Sequence, residues 1–491
     1  MVKIRRVALR YENLASTALE LFLDTRNTQG SWTTEGHFVK GSASKSLSKS
    51  QTSADDDCWF GYANSSILLS FDSTSTRDAV LRVILSTANG PSARGESAAE
   101  GTTRIVVDTE RSRMVNLYKA WISSAISAYA YLELVNSAAG RTREDLSRYP
   151  VFPWVISDYT SHTLDLSNPS TYRDLSKPIG ALSPSRLEYF KDRMSNMGQS
   201  SSGSCTVTDQ PFLYGTHYST PAYTLYYLVR IMPAHVLCLQ GGSYDQPDRT
   251  FSSMQDTWRS ANENNADLKE LIPEFYNVKS GGCGDQGGKF LLNTLNLPLG
   301  ATSRNGQRIH DVILPKWARS GKDFVRKMRK ALESDYCGEH LNEWIDLIFG
   351  VSSRGEGRKE KDNIFMKSCY YTSLDIEMEP EQSVRDRMIM ETEEFGVTPD
   401  LLFVLPHGKR GQGEDEGGIP WEAVVGGDFG GRGAGAAILR GASSDDSDEQ
   451  QVGWKIGREA ELAVNLERAR LDIENRQVSE RGGSDRAKRL A

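Results

Sequence analysis

The chain has 491 residues, 25% of them charged, and a net charge of −7; this length calls for roughly two or three folded units, not one core. A pI near 5.7 speaks against a nucleic-acid binder, whose domains are usually strongly basic, and against a polybasic membrane anchor. Apolar residues make up 38% without Gly; counted with Gly and without Tyr, the share falls only a little below the usual ~45–50%, enough for a sizeable core but with part of the chain reading as polar and unfolded.

In chain order, Met1-Val2-Lys3-Ile4-Arg5-Arg6 is charged and no apolar run follows it, so nothing resembles a signal peptide. Residues 1–86 read as the end of a small β unit, with strand-like runs at 18–23 and 67–71. Between them, 27–57 is rich in Ser, Thr, Lys and Gly and reads as a long surface insertion. Asp72-Ser73-Thr74-Ser75 offers N-cap residues, and a helix is expected over 77–85 with Val80 and Ile84 on one face. Residues 87–111 read as a linker.

From Met114 the texture changes. Leu117, Trp121, Ala128, Leu132 and Val135 recur near helical spacing, and Gly140 is a plausible stop. The chain then runs Tyr149-Pro150-Val151-Phe152-Pro153-Trp154-Val155-Ile156. Two prolines cannot donate to a ladder, yet the side chains are too apolar for solvent; a buried, extended, irregular segment is expected, with its backbone groups partnered elsewhere. Further helices are expected at 185–194, 219–230, 248–261, 321–334, 339–349 and 384–394, with loops at 195–207 and 277–288. The most apolar stretch, 223–239, is interrupted by Arg230, Pro233 and His235; it is too short and polar to span a bilayer and reads as a buried helix. Residues 411–450 carry nine acidic and two basic side chains among many glycines, a composition expected to be disordered. Ser443, Ser444 and Ser447 in that acidic run are candidate phosphorylation sites, with a solvated acidic spacer at least as good a reading. Over 455–480, Leu462, Leu466, Ala469 and Ile473 form a stripe for a solitary helix or a short coiled coil.

Reactive motifs are scarce. The six cysteines stand singly, with no CxxC pair, which argues against a zinc site or a disulfide scaffold and for a reduced, cytosolic chain. Gly288-Lys289 invites a phosphate-loop reading, but Phe290 stands where a hydroxyl should hold magnesium and Cys283 where the first glycine belongs. Asp428-Phe429-Gly430 lacks the kinase motifs that should precede it. His217 and His235 sit in apolar stretches and read as core residues. Glu12 with Glu20, or Asp165 with Asp174, are carboxylate pairs of the kind any acid-rich chain supplies.

A longer series of motifs carries a resemblance. It runs from Trp121-Ile122-Ser123 through Asp145-Leu146-Ser147-Arg148-Tyr149-Pro150-Val151-Phe152-Pro153-Trp154-Val155-Ile156-Ser157-Asp158-Tyr159. It continues with Tyr172-Arg173-Asp174-Leu175-Ser176-Lys177-Pro178-Ile179-Gly180-Ala181-Leu182, Tyr214-Gly215-Thr216-His217-Tyr218-Ser219, Asp267-Leu268-Lys269-Glu270-Leu271-Ile272-Pro273 and Leu341-Asn342-Glu343-Trp344-Ile345-Asp346. Residues 112–410 thus resemble a BEACH domain, as in the family of neurobeachin and the lysosomal trafficking regulator. Ile4-Arg5-Arg6-Val7, 18–22 and 68–71 resemble the latter part of the PH-like domain that precedes it, with the first strands expected before Met1. Relatives usually continue into a WD-repeat propeller, and residues 411–491 read as no propeller-length repeat array.

The resemblance implies an α+β fold, mostly α: a partial PH-like β unit with a C-terminal helix, then an irregular extended core flanked by helices, then a disordered tail. It implies a non-enzymatic scaffold or adaptor in vesicle trafficking and endomembrane dynamics, lysosomal or autophagy-related, working through protein–protein contact at the PH–BEACH junction. No cofactor or metal is implied. The expected partners are proteins of the trafficking machinery, with peripheral endomembrane association, no nucleic acid and no transmembrane segment. Trp121, Tyr149, Phe152, Pro153, Trp154, Tyr159 and Trp344 are expected to pack the core. Arg173, Asp174 and Lys177 are expected in structural ion pairs, with an interdomain or partner surface, shared with Arg5, Arg6 and Glu12, as the functional reading. Two competitors remain: a signalling adaptor acting through the acidic tail and the 455–480 helix, and a nucleotide hydrolase using the 281–289 loop.

Overall fold

The computed structural model describes residues 110–199, 211–278, 287–303 and 306–412, together with 3–12, 15–24, 30–32, 38–40, 66–70, 76–77, 79–80 and 106–107. All belong to the first of two units, Met1–Gly431; the second, Arg432–Ala491, lies outside the described residues. The predicted unfolded segment beyond 412 and the helix of 455–480 therefore also lie outside them.

The N-terminal part is a sheet. β1 (Lys3–Glu12) and β2 (Ala15–Asp24) form an antiparallel hairpin, and β2 pairs antiparallel with β5 (Ser66–Ser70). Val106–Val107, placed in the linker by composition, is strand β6 and pairs parallel with β1, giving the order β5-β2-β1-β6. Register shifts interrupt the hairpin between Ile4 and Arg6 and between Arg10 and Glu12, the bulges that bend and twist a strand. Within the predicted insertion, β3 (Gly30–Trp32) pairs with β4 (Phe38–Lys40) as a separate two-stranded piece. Thr76, Arg77, Ala79 and Val80 are helical; the rest of the expected 77–85 helix is outside the described residues.

From 110 onward the described chain is mostly helical with little strand. The single helix expected through 114–140 is two, α1 (Glu110–Ile122) and α2 (Ala128–Ala138). Ser124 takes a left-handed φ of 57°, and the Ser127 hydroxyl accepts from Ala130 N to start the second helix. Ser and Thr caps recur: Thr220 before α4 (Pro221–Leu228), Ser253 before α6 (Met254–Glu263), Ser320 before α7 (Gly321–Leu332) and Ser334 before α8 (Asp335–Phe349). Each satisfies an N–H that the first turn leaves without an intrahelical partner. α3 spans Pro184–Gln199, so residues 195–199 of the predicted loop are helical. The expected buried helix at 223–239 is broken at Pro233 into α4 and α5 (Pro233–Leu239); α5 buries only Val236, and His235 is exposed rather than a core residue. α9 (Gly355–Glu360), α10 (Ser373–Met378) and α11 (Gln382–Phe395) complete the set.

The segment 149–156 is irregular and wholly buried, and its backbone groups find partners one by one. Tyr149 O accepts from Arg141 Nε at 2.7 Å. Val151 donates to and accepts from the Asn136 amide at 2.8 and 2.9 Å. Phe152 exchanges both bonds with Leu271. Pro153 O accepts from the Tyr276 hydroxyl at 2.6 Å, Trp154 N donates to Glu270, and Val155 O accepts from Arg173 N. Side chains serve Tyr149, Val151, Pro153 and Trp154, and backbone bonds serve Phe152 and Val155, because an unpaired buried backbone group costs about as much as a lost hydrogen bond.

Candidate functional site

The motif residues converge on one buried carboxylate. Glu270 lies between Asp267 and Pro273 in an extended stretch that pairs with Phe152 through Leu271. Arg173 Nη1 donates to both Glu270 oxygens at 2.8 Å, and the two side chains are 0% and 2% exposed. Trp154 N donates to Oε2 at 3.1 Å and Trp344 Nε1 to Oε1 at 3.2 Å. Arg173 Nη2 donates to Lys177 O at 3.0 Å. Four separate stretches, 154, 173–177, 270 and 344, are thereby tied at one point. Arg173 is therefore interior. Asp174 and Lys177 instead pair with each other at 3.0 Å on the surface, about half exposed, where such a pair contributes little.

Around this knot stand the aromatic residues singled out from sequence. Trp154 meets Tyr159 edge-on at 5.7 Å and donates from Nε1 to Lys269 O at 2.9 Å. Phe152 packs against Tyr129 and Tyr276. Tyr149 donates to Glu274 Oε1 at 2.8 Å. Pro153 is buried among them. Trp344 is one of seven large or apolar core residues on α8, with Leu341 and Phe349. A void of about 10 Å³ beside Glu270 and Gly180 is far below the ~300–1,000 Å³ of ligand pockets.

A second cluster, which sequence reasoning missed, closes the body. Leu402–Arg410 returns across α1, α2 and α8 as a strap. His407 N donates to the Asp346 carboxylate at 3.1 Å, Tyr131 OH meets His407 Nε2 at 2.6 Å, and Asn342 Nδ2 donates to His407 O. Trp121, stacked on Tyr131 at 4.6 Å, donates from Nε1 to Gly408 O at 3.0 Å, while Gly408 N donates to Tyr118 OH. Burial pushes His407 down to about 3, so its ring is neutral, and pushes the Asp346 carboxyl up to about 7. Burial likewise holds His217 well below the ordinary histidine range; Ser219 N donates to its Nδ1.

Arg5, Arg6 and Glu12 lie on β1: Arg6 is in register with Phe22 and Val106, Glu12 with Ala15, and Arg5 falls at a register shift. Gly288, at a φ of 96°, opens a short turn in which Phe290 is buried edge-on against Phe275 at 4.8 Å, so the position where a phosphate loop needs a hydroxyl packs the core. Residues 279–286 are outside the described set. Asp165 and Asp174 accept from Ser167 and Ser176 in local turns. Among the described residues Cys238, Cys337 and Cys369 are unpaired, and burial pushes the latter two thiols up to about 12. Among those residues no group of three His, Cys, Asp or Glu is placed to hold a metal, and no helix is long and apolar enough to cross a membrane.

A family model described as the Beige/BEACH domain matches residues 119–410. Beige protein homolog 1 of Schizosaccharomyces pombe is 42% identical over 297 residues, 60% of this chain and 11% of that protein. BEACH domain-containing protein A2 of Arabidopsis thaliana is 40% identical over 301 residues, 60% of this chain and 8% of that protein. The chain thus spans about a tenth of the length of the curated relatives it matches.

Proposed function

This chain belongs to the Beige/BEACH domain family, a family generally involved in vesicle trafficking, and from that premise we propose that it is a non-enzymatic scaffold that gathers proteins of the trafficking machinery at endomembranes of the lysosomal and autophagic routes. The reading places the protein in the cytoplasm, peripherally bound. It assigns β1, β2 and β5 to a partial PH-like unit within 1–86, onto which β6 pairs from the linker, with 112–410 as the BEACH body.

The observation that carries the reading is the match over 119–410 to a body whose motif residues are spent on packing. Arg173, Glu270, Trp154 and Trp344 satisfy one another in the interior, an arrangement that holds a surface in shape. Recruitment would then use exposed polar surface, as interdomain and transient contacts do, and β1 with Arg5, Arg6 and Glu12 is the surface proposed for it.

The test is loss and rescue. Cells lacking the chain should show altered lysosome diameter by microscopy, restored by the full chain but not by the Arg5→Glu, Arg6→Glu, Glu12→Lys variant. Unaltered diameter in the deleted cells contradicts the trafficking role; full rescue by the variant contradicts the junction assignment.

A further inference from the structure

We propose that the outer face of α11 is a docking groove for a basic amphipathic helix of a partner protein. α11 buries Met388 and Thr392 on one side, Met388 packing with Ile376 and Val397. Its other side forms an open groove of about 430 Å³ bounded by Ser383, Asp386, Met390, Glu391, Glu394 and Phe395, with Arg387 among them. Those positions recur every three to four residues and so form one stripe along three turns. Its apolar centre is unpartnered: Met390 is 61% exposed. Unbranched thioethers adapt to varied apolar side chains, which suits them to receiving a partner.

Charge fixes the kind of partner. Residues 373–395 carry eight acidic and two basic side chains. In the groove Asp386, Glu391 and Glu394 face one cation, Arg387, whose Nε is 3.8 Å from Glu391 on the surface. A segment laying an apolar side chain on Met390, with Lys or Arg one turn to either side, would meet Asp386 at one end and Glu391 and Glu394 at the other; this is recognition of an amphipathic helix in a groove. An anionic lipid surface would be repelled. The groove uses no residue of the N-terminal sheet. The proposal rests on the scaffold reading only in requiring a protein partner.

The probe is a labelled peptide of about 18 residues, long enough to form a helix on binding, with Leu at i, i+3, i+4 and i+7 and Lys elsewhere; its twin carries Glu for Lys. Anisotropy with the full chain at about 0.15 M salt should show binding of the lysine peptide only. Glu391→Lys with Glu394→Lys should weaken it about tenfold or more, and Met390→Ser about fivefold. A control reversal of exposed acids on α3 and α6, Glu188→Lys with Glu263→Lys, should change it less than about twofold. The neutral pair Glu391→Gln with Glu394→Gln replaces the reversal should that variant melt early. Equal weakening by the control, undiminished binding by the groove variants, absence of lysine-peptide binding, or capture of anionic vesicles in its place would each overturn the proposal. None of these outcomes alters the lysosome-diameter readout, so the two readings fail separately.

Discussion

Glu270 is where a single residue matters most. Replacing it by Gln keeps the volume but leaves the Arg173 guanidinium buried without its counter-charge, and breaking a buried pair in this way costs about 3–5 kcal/mol. The urea midpoint of Glu270→Gln should fall accordingly, and pairing it with Arg173→Met should recover part of the loss; a single variant within about 1 kcal/mol of the parent would show that the pair does not hold these segments. Asp346 gives the pH dependence. Its carboxyl sits near 7 in the fold and near ~3.9 unfolded, so between those values the folded state holds a proton that the unfolded state has lost. Its share of stability is present below about 4 and lost as pH rises to about 7, worth about 2–4 kcal/mol. His407, pushed down to about 3, and His217, also lowered, act oppositely: their share is present above about 6.5 and lost as pH falls. Asp346→Asn should therefore remove the partial offset and make the fall in melting temperature below pH 6.5 steeper than in the parent; an unchanged slope would contradict the burial assigned to Asp346.

At the scale of elements, Ser and Thr stand at helix starts, yet the starts expected at 248 and 339 lie several residues from the observed ones, at Met254 and Asp335; Ser127→Ala should cost about 1 kcal/mol by the loss of its cap to Ala130, measured by thermal melting. The break between α1 and α2 was not legible. Trp121 and Ala128 are seven residues apart, two turns in phase, so the apolar period runs through the turn as though no turn were there. At Pro233 the composition of 223–239 misled for a different reason: α5 lies with most of its apolar face outward, and Leu239 is 52% exposed. Beyond the buried Leu402 and Phe403, the strap is held by polar contacts with no local pattern. Gly408 is where it comes closest, since a Cβ there would sit 2.6 Å from Ile122 Cδ1 and 2.7 Å from Tyr118 Oη. Gly408→Ala should loosen 402–410, read as faster amide exchange at His407 and Arg410 with the α8 amides unchanged; equal protection in both proteins would show that the strap tolerates the methyl.

Across the whole molecule, the aromatic and proline-rich stretch 149–156 announced a buried, irregular path through its composition alone. What it could not announce was the identity of its partners. Asn136, Arg141, Glu270 and Tyr276 are polar or amphipathic residues in ordinary local contexts, and they acquire their roles from chain segments up to 123 residues away. The signal in advance was Arg173, a charged residue inside an otherwise apolar motif; Glu270, beside Lys269, offered none. The proposed scaffold role gives recruitment to the external surface of a body whose conspicuous aromatic and charged residues serve one another. The measurement closest to that claim is affinity purification of the full chain from its own cells, with co-purifying proteins quantified by mass spectrometry against the Arg5→Glu, Arg6→Glu, Glu12→Lys variant. The account predicts enrichment of membrane-trafficking proteins with the parent and their depletion with the variant. A parent that brings down no trafficking protein, and turns over a small-molecule substrate instead, would contradict it.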